Sequence, residues 1–455
     1  MRQLELAMFK MYAQGLLAGG GVLNIRDIEK GFRAAALKDG DAAFREFLSS
    51  IVPVTTECPE CGAPLKKISD REKTIVSLMG VGEFCRAYYE CPNDHGHFTP
   101  CDDVAGVNGT SFTPGVRLAV AKLASAGSFE WASGALAEIA GIYVSPKETQ
   151  RVSESVGEAI EVRNKGRIES AMRPEGPRSE TGACAEPTIK IDSTVYIEYD
   201  GTGIPMIRRE VDGRSGKQPD GSAKTREAKL GCIFTQTGFT EEGDPIRDKN
   251  SSSYIGAIEC AELFGWRIFS EASLRSIGSY KRVAILGDGA KWIWGIAGDH
   301  FPGAIQIVDL YHAKEHIYEL ARALFHQAGE QAAALDEWIK LLEAGEIETL
   351  AEKIRGVSGL SDELKEKATT EANYFTENAE RMRYKKFKGM KLFVGSGVIE
   401  AGCKTVIGRR LKQSGMFWSL QGANAMIALR CADLSCNDDL ASCFDVSEKP
   451  QRTSA

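Results

Sequence analysis

One stretch constrains the fold of this chain more than any other: Lys281 to His316, reading KRVAILGDGAKWIWGIAGDHFPGAIQIVDLYHAKEH. Its first apolar run, Val283 to Leu286, is too short for a buried helix and is bounded by glycine, which predicts a buried strand. The run stops at Gly287-Asp288-Gly289. A second apolar run, Ala304 to Val308, stops at Asp309 and is followed by Leu310, Tyr311 and His312. Between them, Lys291 to His300 carries Trp292, Ile293, Ile296 and Ala297 at helical spacing. Strand, helix and strand in so little chain predict a parallel β-α-β unit with an acid at the carboxyl end of each strand. Open α/β sheets place their chemistry on that rim, and two acids there point to a bound cation.

Bulk properties narrow the class. A chain of 455 residues holds two to four domains and can bury a sizeable core. The formal net charge of -7 excludes a uniformly basic coat for nucleic acid but leaves room for a local basic face. No run reaches membrane-spanning length, and Met1 to Lys10 lacks the plan of a signal peptide, so the expected location is cytoplasmic. In a reducing compartment, twelve cysteines read as buried thiols plus a metal site rather than a disulfide scaffold.

Taken in order, 1–50 is expected to be a helical segment, with Leu4, Met8 and Met11 repeating before Gly19-Gly20-Gly21, and Ile28, Phe32 and Ala36 after it. It suits a small helical pair that packs on a partner or on the next module. The 51–105 module opens with the knuckle Cys58-Pro59-Glu60-Cys61-Gly62. Two alternating runs follow, Thr74 to Val81 and Phe84 to Glu90, and then Cys91-Pro92-Asn93-Asp94-His95-Gly96-His97. Two knuckles joined by a hairpin predict a zinc ribbon, in which the ion replaces a core too small to form. Its second knuckle is irregular. Asp94 stands where a fourth ligand is expected, so the set is Cys58, Cys61 and Cys91 with His95 or His97, and Cys101 is a further candidate.

The 106–187 region reads as short helices: Val116 to Ala126 after Thr113-Pro114-Gly115, then Phe129 to Ile139, then one opened by Ser145-Pro146. They are compatible with helix-turn-helix packing on DNA and equally with an ordinary bundle. Glu175 to Pro187 reads as a linker. Strands are expected at Ile189 to Asp192, Val195 to Tyr199 and Glu227 to Gln236, and a helix over Tyr254 to Ser276. With the β-α-β unit, that order is the order of an RNase H-like domain over 188–312. A helical region of some eighty residues follows to 392. The 381–412 stretch is basic, with Glu400 its single acid, inside a helix expected to start near Gly397 within 393–432. A loose tail, 433–455, ends the chain.

Asp200 after one strand, Asp288 after another and Glu400 in the basic segment can converge only if the fold joins them. If it does, their hard oxygens suit two Mg²⁺ or Mn²⁺ ions sharing a substrate phosphate. Lys404, one turn beyond Glu400, with Arg409, Arg410 and Lys412, would then face phosphodiesters, and the glycines beside Asp200 and Asp288 would admit a close backbone. Taken singly, each Asp-Gly is also an ordinary turn pair.

The stretches Tyr199 to Met206, Arg226 to Gly231, Leu286 to Ala290, Ile307 to His312 and Val394 to Lys404 resemble DDE transposases of bacterial insertion sequences, specifically the ISKra-type family. The likeness continues through Arg410 to Met416 and Trp418. It implies an RNase H-like core interrupted by an all-helical insertion, with Asp200, Asp288 and Glu400 as the metal-binding triad. It also implies strand cleavage at element ends and transfer to target DNA, with N-terminal modules reading the terminal inverted repeats. A homo-oligomer on paired ends, associated with the nucleoid, is part of the same implication. Asp309 and His312 match an Asp-x-x-His element of related transposases, with a supporting role; a satisfied core histidine fits His312 equally. Two alternatives stay open: a silent DNA-binding repressor or architectural protein, and an RNase H-like nuclease that cuts without joining. An aspartic protease is disfavoured, because Asp200 and Asp288 are each followed by Gly rather than by Thr or Ser.

Overall fold

The computed structural model describes residues 7, 10–15, 24–52, 56–173, 191–216, 218–436 and 439–444. The expected linker at 175–187 and nearly all of the expected tail lie outside them, as do Leu4 and Met8. The chain divides into two compact units, Met1–Val156 with Leu440–Ala455, and Gly157–Asp439. Among the described residues no helix is long and apolar enough to cross a membrane.

In the first unit, helix α1 (Ile25–Ser49) starts where the Asn24 side chain accepts the Arg26 N–H. A long hairpin follows, β1 (Lys66–Ser77) and β2 (Gly80–Glu90), with the short β3 (His97–Phe98) on the edge of β2. Sequence alternation placed the hairpin too far along the chain. Its turn falls at Leu78-Met79, inside the run expected to be one strand, because the polar stretch Lys66 to Lys73 also pairs. Its packing is confined to the turn end, with Ile75 and Phe84 against Leu48 of α1 and Val107, and Val76 against the Phe112 cluster, so apolar content alone did not mark the polar end.

Beyond the short α2 (Pro100–Val104), helices α3 (Pro114–Ala126), α4 (Phe129–Ala135) and α5 (Pro146–Met172) begin where the Pro and Ser signals placed them. A widened turn at Leu136–Ala140 extends α4 and stops at Gly141, whose φ of 71° is the left-handed conformation glycine adopts freely. Val116, Val120, Leu136, Ile142, Val144 and Val152 form the core of this bundle.

The second unit is built on a mixed sheet: β4 (Ile191–Pro205), β5 (Thr225–Phe239), β6 (Pro245–Arg247), β7 (Ser253–Ala257), β8 (Tyr280–Gly287) and β9 (Ile305–Val308). Its order is β6-β5-β4-β8-β9, with β7 also paired to β5. β4 runs antiparallel to β5 and parallel to β8, and β8 parallel to β9. The expected β-α-β unit is present, with α7 (Lys291–His300) as its crossover. This mixed arrangement is consistent with an RNase H-like core.

Helix α6 (Ala261–Leu274) covers one face of the sheet, with Ile268 over Gly231, and α7 adds Ile293 over Gly287. On the other face, α13 (Gly397–Gly402) and α14 (Leu420–Leu434) set Gly402 against Leu230 and Ile427 over Gly256. Burial on both faces explains the unbroken run Val195 to Tyr199, where every residue is 1% exposed or less.

Two expectations fail here. Tyr254 begins no helix: Ser253 to Ala257 is a strand, and the helix starts only at Ala261. Five residues are too few to separate a period of two from one of 3.6. Nor does β4 end before Asp200; it continues through the glycines to Pro205, paired with β5 throughout.

From Leu310 the chain is helical, as expected: α8 (Leu310–Leu324), α9 (Ala328–Ala344), α10 (Ile347–Arg355), α11 (Asp362–Glu377) and α12 (Tyr384–Gly389). The α5 segment at Glu161 is tied to the core by Arg267 of α6. Its guanidinium, 3% exposed, donates to both oxygens of Glu161 and both of Glu259, at 2.7 to 2.9 Å. Removing one partner from such a buried network leaves two carboxylates uncompensated. Arg267→Ala is expected to destabilise this unit by about 3–5 kcal/mol in urea unfolding; a change within about 0.5 kcal/mol would contradict the packing described.

Candidate functional site

The parallel pairing of β4 with β8 aligns Glu198 with Leu286. Asp200 and Asp288 each lie two residues further along, so the two carboxylates emerge side by side on one rim of the sheet. Asp288 turns at the end of β8, its Oδ1 accepting the Ala290 N–H at 2.9 Å. Tyr374 of α11 donates its hydroxyl to the Asp288 carbonyl at 3.2 Å. Gly289, at φ 97°, lies directly under that tyrosine ring. A Cβ there would meet the Tyr374 ring, and the left-handed φ itself favours glycine.

Two buried carboxylates place the helix that carries Glu400. Asp309 caps α8 by accepting the His312 N–H at 2.8 Å, and its other oxygen accepts the N–H and hydroxyl of Ser396. Glu198, on the same strand face as Asp200, accepts the Ile399 N–H at 2.8 Å. The first turn of α13, where helix N–H groups lack the usual i−4 carbonyls, is thereby held by acids from β4 and the end of β9. From there the helix continues through a widened turn, Cys403–Gly408, into Arg409–Leu411.

The Cys403 thiol acts on the Asp200 carboxyl to lower it, and the Glu400 charge is felt at Glu198. Glu400 itself is exposed on this helix. The three acids surround one rim without converging on a point. Among the described residues, only the Cys58, Cys61, Cys91 and His95 group gathers three or more donor atoms within 4.8 Å.

The electrostatics are those of a crowded acid site. Burial pushes the Asp200 carboxyl above its ordinary value, and the Asp288 charge pushes the same way. Cys403, the Gly201 N–H and Lys412 oppose them. Lys412 is exposed and donates to Thr202 Oγ1, two residues from Asp200. Glu198 is shifted further, from 4.5 to about 8, by burial first and then by the Asp309 and Glu400 charges, against the Ile399 N–H and Arg247. A shift in that direction favours its protonated form.

Other expected site residues separate. Lys404 and Arg409 are exposed, as a phosphate-facing role requires. Arg410 is not: it is fully buried, its guanidinium 5.1 Å from the Trp418 ring centre and bonded to Met416 Sδ. A side chain so placed offers nothing to DNA. Asp309, 1% exposed and committed to Ser396, is no rim ligand. His312 faces His316, with Nε2 to Nε2 at 3.3 Å. Glu198 was the residue missed, although an acid inside Val195 to Tyr199 was a readable signal, since an acid in a buried strand is costly.

In the ribbon, Cys58, Cys61, Cys91 and His95 form a set that could hold a zinc ion. Cys61 Sγ lies 3.6 Å from Cys91 Sγ, and His95 Nδ1 3.5 Å from Cys91 Sγ and 3.8 Å from Cys58 Sγ. These approach the edge of about 3.8 Å for four sulfurs on tetrahedral zinc. The Ala63 N–H and the Asn93 amide lower the Cys61 thiol to about 6. His97 stacks on Tyr88 instead. Cys101 is buried in α2, donating to the Ile51 carbonyl, and joins no cluster.

No family model and no curated protein matches the chain. Among solved structures, the Drosophila P element transposase strand transfer complex is a weak likeness, with 8% sequence identity and a TM-score of 0.19 over 64% of this chain and 79% of that one. At that score it carries no weight for fold or function.

Two outcomes are expected. Because the folded-state value of Glu198 is raised, its contribution to stability is full below pH 4.5 and is lost as pH rises to about 8. Glu198→Gln keeps the acceptor for Ile399. It should match wild type near pH 4.5 and exceed it by a few kcal/mol near pH 8; parallel curves would contradict a neutral Glu198. Elemental analysis should find about one zinc held by the ribbon, lost in Cys58→Ser with Cys61→Ser; a ribbon folded without metal would contradict this assignment.

Proposed function

We propose that this chain is a DDE-type transposase of the ISKra type, cutting DNA strands at element ends and joining the freed 3′-hydroxyls to target DNA. The observation that carries this reading is the pairing of Asp200 and Asp288 on adjacent parallel strands, with the Glu400 helix fixed to the same strand through Glu198. The strand order supports it: β7 or β6, then β5, β4, β8 and β9 follows the order 3-2-1-4-5 of an RNase H-like sheet, with the helical region 313–392 as the insertion before the last acid. The modules before 188 are proposed to read terminal inverted repeats, and the working species to be a homo-oligomer on paired ends.

The donor set fits hard divalent cations. Asp200 is raised by burial and by a like charge beside it, a repulsion that a bound cation removes, and carboxylate oxygens are the ligands Mg²⁺ and Mn²⁺ prefer. When bound, two such ions activate a water or 3′-hydroxyl and stabilise the leaving oxygen. The chain's own residues position the DNA. Lys404, Arg409 and Lys412 hold phosphates, with Lys412 beside Asp200 directing the scissile phosphate to the rim. Asp309 and Glu198 hold Glu400 in place.

The test is a labelled duplex carrying the element's own end, with Mg²⁺ or Mn²⁺. Asp288→Asn should lower cleavage and joining by about 10³-fold or more while leaving end binding intact. Wild-type joining by that variant would remove Asp288 from the site. Cleavage without joining in the wild type would make the chain a nuclease, and metal-independent binding without product a DNA-binding protein. Lys412→Ala should weaken binding and reduce the salt slope by about 1, whereas Arg410→Met should leave that slope unchanged.

A further inference from the structure

We infer that His312 and His316 of α8 form a binding site for a borderline divalent metal ion, Zn²⁺ in the first instance, separate from both the carboxylate rim and the ribbon. The two histidines are four residues apart on one helix, so their side chains share a face. Their Nε2 atoms face each other at 3.3 Å, with the rings nearly perpendicular at 81°. Two imidazole nitrogens at about 2.0–2.1 Å from a tetrahedral ion lie about 3.3–3.4 Å apart. The observed spacing is that edge. It is long for a direct N–H to N hydrogen bond.

The opposite edges of the rings supply the second argument. His316 Nδ1 lies 2.8 Å from Glu371 Oε2, and a carboxylate can only accept there, so Nδ1 carries a proton and Nε2 is the nitrogen left to offer a lone pair toward His312. His312 Nδ1 faces Glu315 Oε2 at 3.5 Å. Carboxylates behind both histidines are the arrangement that orients imidazole for a metal and raises its basicity. When His312 carries its proton on Nδ1, the side toward Glu315, the two Nε2 lone pairs face one another and a cation satisfies both.

Tyr374 stacks on His316 at 4.2 Å and holds its orientation. Burial, then the Asp288, Glu371 and Asp309 charges, raise that phenol, which marks the surroundings as negative. His312 and His316 are 37% and 28% exposed, so the face is open for water or an anion to complete the coordination. Imidazole nitrogen favours Zn²⁺ over Mg²⁺, so this site and the carboxylate rim would select different ions.

The inference does not rest on the strand-transfer reading, and its test reads metal rather than catalysis. The full chain, stripped by chelation, is dialysed against Zn²⁺ in excess Mg²⁺, which keeps the carboxylate rim occupied by the harder ion, and bound zinc is counted. One equivalent should survive Cys58→Ser with Cys61→Ser and disappear on adding His312→Ala or His316→Ala. Glu371→Gln should retain that equivalent but weaken it by about 10–100-fold. Circular dichroism of each variant checks its fold; if His316→Ala does not fold, the exposed His312→Ala decides. An equivalent that persists in a folded histidine variant overturns the site. So does its absence from the ribbon variant, which would leave His312 and His316 sharing a proton.

Discussion

Everything proposed for the second unit depends on how a helical excursion is closed. The chain leaves the sheet at Asp309 and returns at Ser396, and those two residues are bonded to each other. Beside them the Leu310 N–H donates to the Val394 carbonyl at 2.9 Å. The excursion is therefore pinched at its neck, and its length matters little to the geometry beyond it, since the entropy of closing a loop grows only slowly with length. Glu198 adds a second hold at Ile399. Two buried acids, one from β4 and one from the end of β9, are consumed in aiming a third.

That arrangement separates the acids proposed to bind a cation from the acids that build. Asp309 and Glu198 are sheltered, Asp309 spending both oxygens and Glu198 one on positioning; Asp200 and Asp288 are half-buried on the rim, and Glu400 is exposed. The same distinction divides the basic residues. Lys412 reaches the Thr202 side chain beside Asp200, while Arg410 lies under Trp418 and closes the core of the α13 region. Residue type made these pairs look alike, and burial makes them different.

The sequence was most legible where burial is two-sided or a turn is chemically marked. Val195 to Tyr199, Val283 to Leu286 and the helix starts at Pro114 and Pro146 declared themselves, as did the knuckle at Cys58 and Cys61. It was least legible where pairing is not accompanied by an apolar pattern. The polar strand Lys66 to Lys73 and the continuation of β4 through Gly201 to Pro205 are held by backbone pairing, which side-chain periodicity does not record. The supporting contacts of the rim, from Cys403, Tyr374 and Ser396, join positions far apart in the chain, and no spacing rule reaches them. Glu198 alone among these could have been read, as an acid lodged in an otherwise apolar strand.

Asp200, Asp288 and Glu400 are proposed to share a divalent cation. The most direct measurement is anomalous diffraction from crystals of the chain grown with Mn²⁺. An anomalous peak bound by oxygens of Asp200 and Asp288 on the rim of β4 and β8, with Glu400 turned toward it and the peak absent in Asp200→Asn, is the predicted result. Manganese absent from that rim, or seated there equally well in Asp200→Asn, would contradict the claim.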